Sequence, residues 1–236
     1  MGTDHWTTGQ HLKETVISMG LKFESGMLRS YFIAGTQDIK DPTKTLQEVA
    51  KQAMEAGITA FQYREKGPGS LSGEKRDQLA ADLRDMCADY EIPFIVDDDV
   101  ELAIKTRADG VHVGQKDERV GKVIDQVGGT MFVGLSCDTK EQIDIANQTA
   151  GISYIGSGPV FPTGSKADAD PVIGVNGLAT LVKESKLPVV AIGGITEENI
   201  VELPKTGVSG VSVISMIAQS DDVFRTVQVM NETFEK

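Results

Sequence analysis

Positive charge is scarce in this chain. Its 23 Lys and Arg residues face 35 Asp and Glu, for a formal net charge of −12. Such a balance argues against nucleic acid and anionic membrane surfaces as partners. An anionic substrate would need the few basic groups gathered locally, or a metal ion between. Cysteine is also scarce. Cys87 and Cys137 stand fifty positions apart with no CxxC spacing, which excludes a cysteine metal cluster and fits unpaired thiols in a reducing cytoplasm. No apolar run approaches the roughly 20 residues of a membrane span. The first residues lack a basic segment followed by an apolar one, so no secretory signal is expected. No GxGxxG follows the first strand-like run, which weighs against an open dinucleotide-binding sheet.

What is present is a repeat. From Tyr31 onward, short apolar β-rich runs alternate with turns and amphipathic stretches. The runs are YFIAG (31–35), ITAFQYR (58–64), PFIV (93–96), GVHV (110–113), MFVGL (131–135), ISYIG (152–156), PVVAI (188–192) and VSGVSVI (208–214). Helices are expected near 42–56, 71–90, 99–106, 117–126, 139–150, 175–186, 196–205 and 218–234. Asp41-Pro42 reads as an N-cap followed by proline at the first helical position. Leu46, Val49, Ala50, Ala53 and Met54 then recur with helical period. Thr139 and Gln142 have capping-box spacing, and Gly57 and Gly207 stand where a helix gives way to a strand. Strands that are apolar throughout are those buried on both faces, as in parallel sheets covered by helices. Eight such units in about 200 residues predict a (β/α)8 barrel over 31–236. Residues 1–30 are expected to be a short extension, either a helix against the barrel bottom or a mobile arm.

In such a barrel the chemistry sits on the loops that follow the strands. Those loops hold Gln62, Arg64, Glu65 and Lys66; then Asp97, Asp98 and Asp99; then Gln115, Lys116 and Asp117; then Ser136, Cys137 and Asp138; then the long GPVFPTGSKADAD (158–170); then Gly193-Gly194; and finally Ser215. Three consecutive aspartates repel one another, and a strand end has no structural need for three. Carboxylates after neighbouring strands suit Mg²⁺, which takes one or two of them and completes its shell with water and phosphate oxygens. Arg64, Lys66 and Lys166 could hold the far side of a polyphosphate. Plainer readings stand beside these. An aspartate at a strand end is a favoured helix cap, and one of Asp97–Asp99 is expected to cap the next helix. Arg64-Glu65-Lys66 alone reads as a surface charge run, Gly193-Gly194 as a tight turn or as a backbone cradle for phosphate, and His112 as a core histidine.

In order along the chain, FQYREKG (61–67), FIVDDDVELA (94–103), ADGVHVGQKD (108–117), GLS (134–136), GPVFPTGSKADA (158–169), AIGGI (191–195) and VISMI (213–217) resemble the thiamine-phosphate synthase family. The resemblance runs from about Tyr31 to the end and leaves residues 1–28 outside. It implies a (β/α)8 barrel that joins 4-amino-5-hydroxymethyl-2-methylpyrimidine diphosphate to a thiazole phosphate with Mg²⁺, giving thiamine monophosphate and pyrophosphate. It implies Gln62, Arg64 and Lys66 as pyrimidine and diphosphate contacts, Asp98 and Asp117 as Mg²⁺ ligands, and Ser136 near the leaving diphosphate. Thr163, Ser165 and Lys166 match its Pro-Thr-x-Thr-Lys loop, which would close over the substrates. Gly194, Ile214 and Ser215 match part of its thiazole-phosphate pocket. By this resemblance Arg64, Ser136 and Lys166 carry catalysis. Family members are often assemblies of barrels, so a homo-oligomer is within what the resemblance allows.

The sequence departs from the pattern at Asp97, where the family usually has Asn, and more mildly at Ser165 and Ala167. An amide donates hydrogen bonds to a diphosphate, whereas an ionised carboxylate only accepts. Two other readings stay open. One is a thiazole tautomerase-like paralogue, a group that tends to lose the diphosphate contacts. The other is a non-catalytic phosphate-ligand-binding barrel that retains only Gly193-Gly194 and Ser215.

Overall fold

The computed structural model describes residues 21–115, 119–164 and 171–235. Eight parallel strands close into a barrel in sequence order: β1 (Ser30–Ala34), β2 (Ala60–Tyr63), β3 (Phe94–Asp97), β4 (Gly110–Val113), β5 (Phe132–Ser136), β6 (Ile152–Ser157), β7 (Val189–Ile192) and β8 (Gly210–Val213). β8 returns to pair with β1, Tyr31 opposite Ser212. Every strand overlaps a run expected from the sequence, with β1, β3, β5 and β6 each reaching one residue beyond it.

The helices are α1 (Leu46–Glu55), α2 (Gly73–Asp89), α3 (Val100–Thr106), α4 (Val120–Val127), α5 (Lys140–Ala146), α6 (Gly174–Glu184), a single turn α7 (Ser215–Ala218) and α8 (Val223–Phe234). Two expectations need correction. Asp41 does not cap α1. Thr45 does, in a reciprocal capping box with Glu48, while Asp41 closes a turn by accepting from the Thr43 amide at 2.9 Å. The stretch 196–205 is not an α-helix but two 3-10 turns, Ile200–Glu202 and Pro204–Thr206. Pro204 has no N–H to donate, and its ring would clash with the carbonyl four residues back in a continuous helix. Thr139–Gln142 does form the expected capping box, and Gly57 and Gly207 adopt φ of 93° and 84° at their helix ends.

The core has two compartments. Between barrel and helices lies a continuous apolar layer, with Phe32, Phe61, Phe94, Leu83, Ile143, Leu178 and Met230 almost without exposure. Burying each such side chain is worth about 1.5–3 kcal/mol. Inside the barrel, Leu28, Tyr31, Ile33, Ala60, Ile95, Phe132, Tyr154, Val190 and Ile214 form a separate cluster. The chain ahead of β1 plugs its lower end. Phe23 stacks on Tyr154 at 5.6 Å, and a 3-10 turn, Ser25–Leu28, places Leu28 against the inside. Gly210 accommodates that turn, since a Cβ there would lie 2.0 Å from the Leu28 carbonyl oxygen. Residues 1–20 of the expected extension lie outside the described residues.

Candidate active site

The upper ends of the strands open into a cavity of about 490 Å³, within the ordinary range for small-molecule sites. One wall carries Arg64, Lys66, Asp97 and Asp98; Ser136 and Asp138 follow, then Thr163, Gly193, Gly194, Ile214 and Ser215. Loops that follow separate strands therefore converge at one mouth. Asp117, Ser165 and Lys166 lie outside the described residues.

The three aspartates each meet a different cation. Asp97 Oδ2 lies 3.4 Å from Arg64 Nε, with both side chains about nine-tenths buried, at 10% and 9% exposure. Asp98 Oδ2 accepts from Lys66 Nζ at 2.7 Å, and Asp99 Oδ2 pairs with Arg76 Nη1 on α2 at 2.8 Å. Asp99 also caps α3 through the Leu102 amide at 2.9 Å. The divergence begins in the backbone. Asp98 sits at φ 58°, in the left-handed region that Asp tolerates better than most residues. This kink turns consecutive side chains toward separate partners, which relieves the repulsion that makes the triplet unusual.

Arg64-Glu65-Lys66 is no surface charge run. Glu65 turns away and anchors the β1 loop, accepting from the Thr36 amide at 3.0 Å, the Thr36 hydroxyl and the Leu71 amide at 2.6 Å. Arg64 and Lys66, on either side of it, are thereby held toward the cavity. Gln37 reinforces the junction by donating to the Arg64 carbonyl at 2.7 Å.

Gly193 and Gly194 serve close packing as well as a turn. Their φ values are 96° and 65°. A Cβ on Gly193 would sit 2.5 Å from Pro159 Cβ, and one on Gly194 2.4 Å from the Pro162 carbonyl oxygen. The loop after β6 is zipped to the loop after β7 by Val160 N to Ile192 O at 2.9 Å and Phe161 N to Gly193 O at 3.0 Å. Thr163 is presented to the cavity from that paired segment.

Gln62 is placed differently from the other expected contacts. It is 2% exposed, beneath the cavity floor, and donates to the Tyr31 hydroxyl at 2.6 Å. His112, less buried than Gln62, has Nδ1 3.1 Å from the Tyr154 hydroxyl and Nε2 3.0 Å from Ser136 Oγ. Cys137, beside Ser136, is buried, and burial pushes its thiol up to about 12, the neighbouring Asp138 charge adding to the effect. It is an inert packing group. Tyr31 and Tyr154 were given no role from the sequence, and Gln115 and Asp138 were named there only as loop residues. Gln115 ties the β4 loop to β5 by donating to the Ser136 carbonyl at 2.7 Å, and Asp138 accepts from the Gly158 amide at 2.9 Å. A phenol inside a short, mostly apolar run was the available signal for Tyr31 and Tyr154.

A closed (β/α)8 barrel with cations, carboxylates and a glycine-lined turn around one mouth defines a class: barrel enzymes that act on small phosphorylated molecules. Comparison with known proteins narrows the class. A family model described as thiamine monophosphate synthase matches residues 30–217. A thiamine-phosphate synthase of Lactiplantibacillus plantarum is 54% identical over 212 residues, 90% of this chain and 97% of that one. One from Levilactobacillus brevis is 51% identical over 219 residues, 92% of this chain and 100% of that one. The solved thiamine phosphate pyrophosphorylase of Pyrococcus furiosus superposes with a TM-score of 0.77 at 33% identity, covering 89% of this chain and 96% of that one. The chain belongs to the thiamine-phosphate synthase family, whose members are transferases of thiamine biosynthesis.

Proposed function

We propose that this cavity joins 4-amino-5-hydroxymethyl-2-methylpyrimidine diphosphate to a thiazole phosphate, releasing pyrophosphate and forming thiamine monophosphate. One observation carries the assignment of parts: the Arg64–Asp97 and Lys66–Asp98 pairs and the Gly194, Ile214 and Ser215 wall face the same 490 Å³ space. The first wall suits a diphosphate, the second a monophosphate. The bond to be broken joins the pyrimidine CH₂ carbon to a diphosphate oxygen. The aminopyrimidine can feed electrons to that carbon, so departure can precede attack. The protein then needs no strong base. It needs positive groups where charge develops on the leaving oxygen, a task for Arg64, Lys66 and Lys166. It must hold the thiazole nitrogen about 3–3.5 Å from the carbon. It must also keep out water, which would trap the cation as an alcohol.

Mg²⁺ fits the residues present. Asp98 offers a hard carboxylate oxygen at the cavity wall, already accepting from the ammonium of Lys66. Among the described residues no group of three or more His, Cys, Asp or Glu gathers to hold an ion. A site of one or two carboxylates, completed by water and diphosphate oxygens, is the kind Mg²⁺ takes. Asp98 would hold it, with Asp117 as the second ligand implied by the family. Bound there, the ion would neutralise charge on the leaving diphosphate.

No helix among the described residues is long and apolar enough to cross a membrane, and both cysteines are buried and unpaired, which supports the cytoplasm as its location. Arg64, Lys66 and Asp98 all reach the cavity, which favours a synthase over a tautomerase-like paralogue or a binding barrel that retains only the monophosphate wall. The test is to supply both substrates with Mg²⁺ and measure thiamine monophosphate and pyrophosphate. Equal amounts of the two are expected. Tight binding of the thiazole phosphate without any product would show a binding barrel instead.

A further inference from the structure

From beneath the cavity floor up to its lining, five polar side chains from five strands form an unbroken line: Gln62, Tyr31, Tyr154, His112 and, at the cavity, Ser136. We propose that this line is a one-way hydrogen-bond chain in which Tyr31, Tyr154 and His112 are positioning residues that set Ser136 as a hydrogen-bond donor toward the leaving diphosphate. The last clause rests on the function proposed above; the direction of the chain does not.

The direction follows from counting protons. The amide nitrogen of Gln62 can only donate, so the Tyr31 oxygen accepts there at 2.6 Å. Among the described residues, Tyr31 OH has one further partner, Tyr154 OH at 3.0 Å, and its single proton goes to it. Tyr154 therefore gives its own proton to His112 Nδ1 at 3.1 Å. A ring nitrogen that accepts carries no hydrogen, so the neutral imidazole holds its proton on Nε2, 3.0 Å from Ser136 Oγ. Ser136 then accepts from His112, and its own hydroxyl hydrogen is released for the cavity it lines. Among the described residues its hydroxyl has no second partner. Running the chain backward would make the Tyr31 oxygen accept from both Gln62 and Tyr154 and leave its own buried hydrogen without an acceptor among the described residues.

The surrounding packing preserves the line. Both phenols are wholly buried, and burial holds each well above its ordinary range, so they stay protonated. Gly134 leaves room for the central link, since a Cβ there would lie 2.5 Å from His112 Nδ1 and 2.3 Å from Tyr154 Cζ. Gly156 flanks the imidazole from the next strand, where a Cβ would lie 3.2 Å from His112 Cε1. Phe23 stacks on Tyr154 and fixes its ring from below. A histidine that served only to fill space would not need glycine on each of the next two strands.

The experiment uses the full chain labelled with ¹⁵N-histidine. Wild-type His112 is expected in the Nε2–H form, with Nδ1 unprotonated; the Nδ1–H form in the wild type would overturn the direction. Tyr154→Phe removes the proton that holds Nδ1 as an acceptor and is expected to shift His112 toward a tautomer mixture. It should also lower kcat about 10- to 100-fold while KM for either substrate changes less than about threefold. In a Ser136→Ala background the same substitution should have almost no further effect on kcat, and additive losses would reject the link to Ser136. If Tyr154→Phe does not fold, Tyr31→Phe breaks the preceding link and is read the same way. Binding of inorganic pyrophosphate with Mg²⁺, expected to weaken about 3- to 10-fold in these variants, reads Ser136 without turnover. The chain is thereby tested even if no thiamine monophosphate forms. Unchanged pyrophosphate affinity would reject Ser136 as the donor.

Discussion

Asp97 stands at the cavity wall against Arg64, and that pairing has a consequence that can be measured. Its carboxylate lies 3.4 Å from Arg64 Nε, with both side chains about nine-tenths buried. At an effective dielectric of about 20 the attraction is roughly 5 kcal/mol before desolvation is subtracted. Removing one partner of a well-buried pair typically costs about 3–5 kcal/mol. Asp97→Asn retains a carbonyl acceptor beside an open cavity, so a loss of about 1–3 kcal/mol is expected, or roughly 3–8 °C in Tm for a chain this long. That loss belongs to the free protein. A bound diphosphate returns a negative counter-charge to Arg64, and the variant's deficit should largely vanish in the complex. By linkage, whatever is recovered appears as affinity, so recovery of about 1–3 kcal/mol tightens Kd for the pyrimidine diphosphate by roughly 5- to 150-fold, at 1.4 kcal/mol per tenfold. Thermal unfolding with and without ligand, together with calorimetric titration, measures both halves. An unchanged Tm with affinity at least tenfold weaker would refute this reasoning and give Asp97 a direct part in holding the substrate.

Other outcomes follow from the same geometry. Gly194→Ala forces a Cβ to within 2.4 Å of the Pro162 carbonyl oxygen at a φ of 65°; it should raise KM for the thiazole phosphate at least tenfold and cost about 1–2 kcal/mol of stability by thermal unfolding. Cys137, its thiol pushed up to about 12, should resist iodoacetamide at pH 8 while folded and react once the chain is denatured, as followed by mass spectrometry. Asp109 is raised above the ordinary carboxylate range by burial, which outweighs its bond from the Phe94 amide. A folded-state value above the unfolded one makes the charged form a liability, so Asp109→Asn should raise Tm at neutral pH. The gain should disappear as pH falls below the unfolded carboxylate value.

The barrel was legible because its signal is repeated. Eight apolar runs separated by turns and capped helices leave few architectures, and the capping box at Thr139 lies where its spacing indicates. Two local signals misled. Asp41-Pro42 has the chemistry of a helix start, yet Thr45 with Glu48 offers a reciprocal pair and wins. The 196–205 stretch has helical composition, but Pro204 divides it. Loop position was enough to expect Arg64, Lys66, Asp98, Ser136 and Gly194 around one cavity, because a closed barrel sends every strand end to one rim. The sequence could not show which cation each aspartate meets, since the kink at Asp98 is a single backbone torsion. The chain below the floor was hidden for another reason. The strands read as uniformly apolar, so the alternation that turns Tyr31, Gln62, His112 and Tyr154 inward was masked by Phe, Val and Ile facing the helices.

A carboxylate, magnesium and cations that act together on a diphosphate at one mouth must make its binding depend on the ion, and titration measures that directly. The pyrimidine diphosphate should bind the wild-type chain at least tenfold more tightly with Mg²⁺ than without it, and Asp98→Ala should abolish that difference while remaining folded. Equal affinity with and without the ion, or a magnesium effect that survives Asp98→Ala, would contradict it.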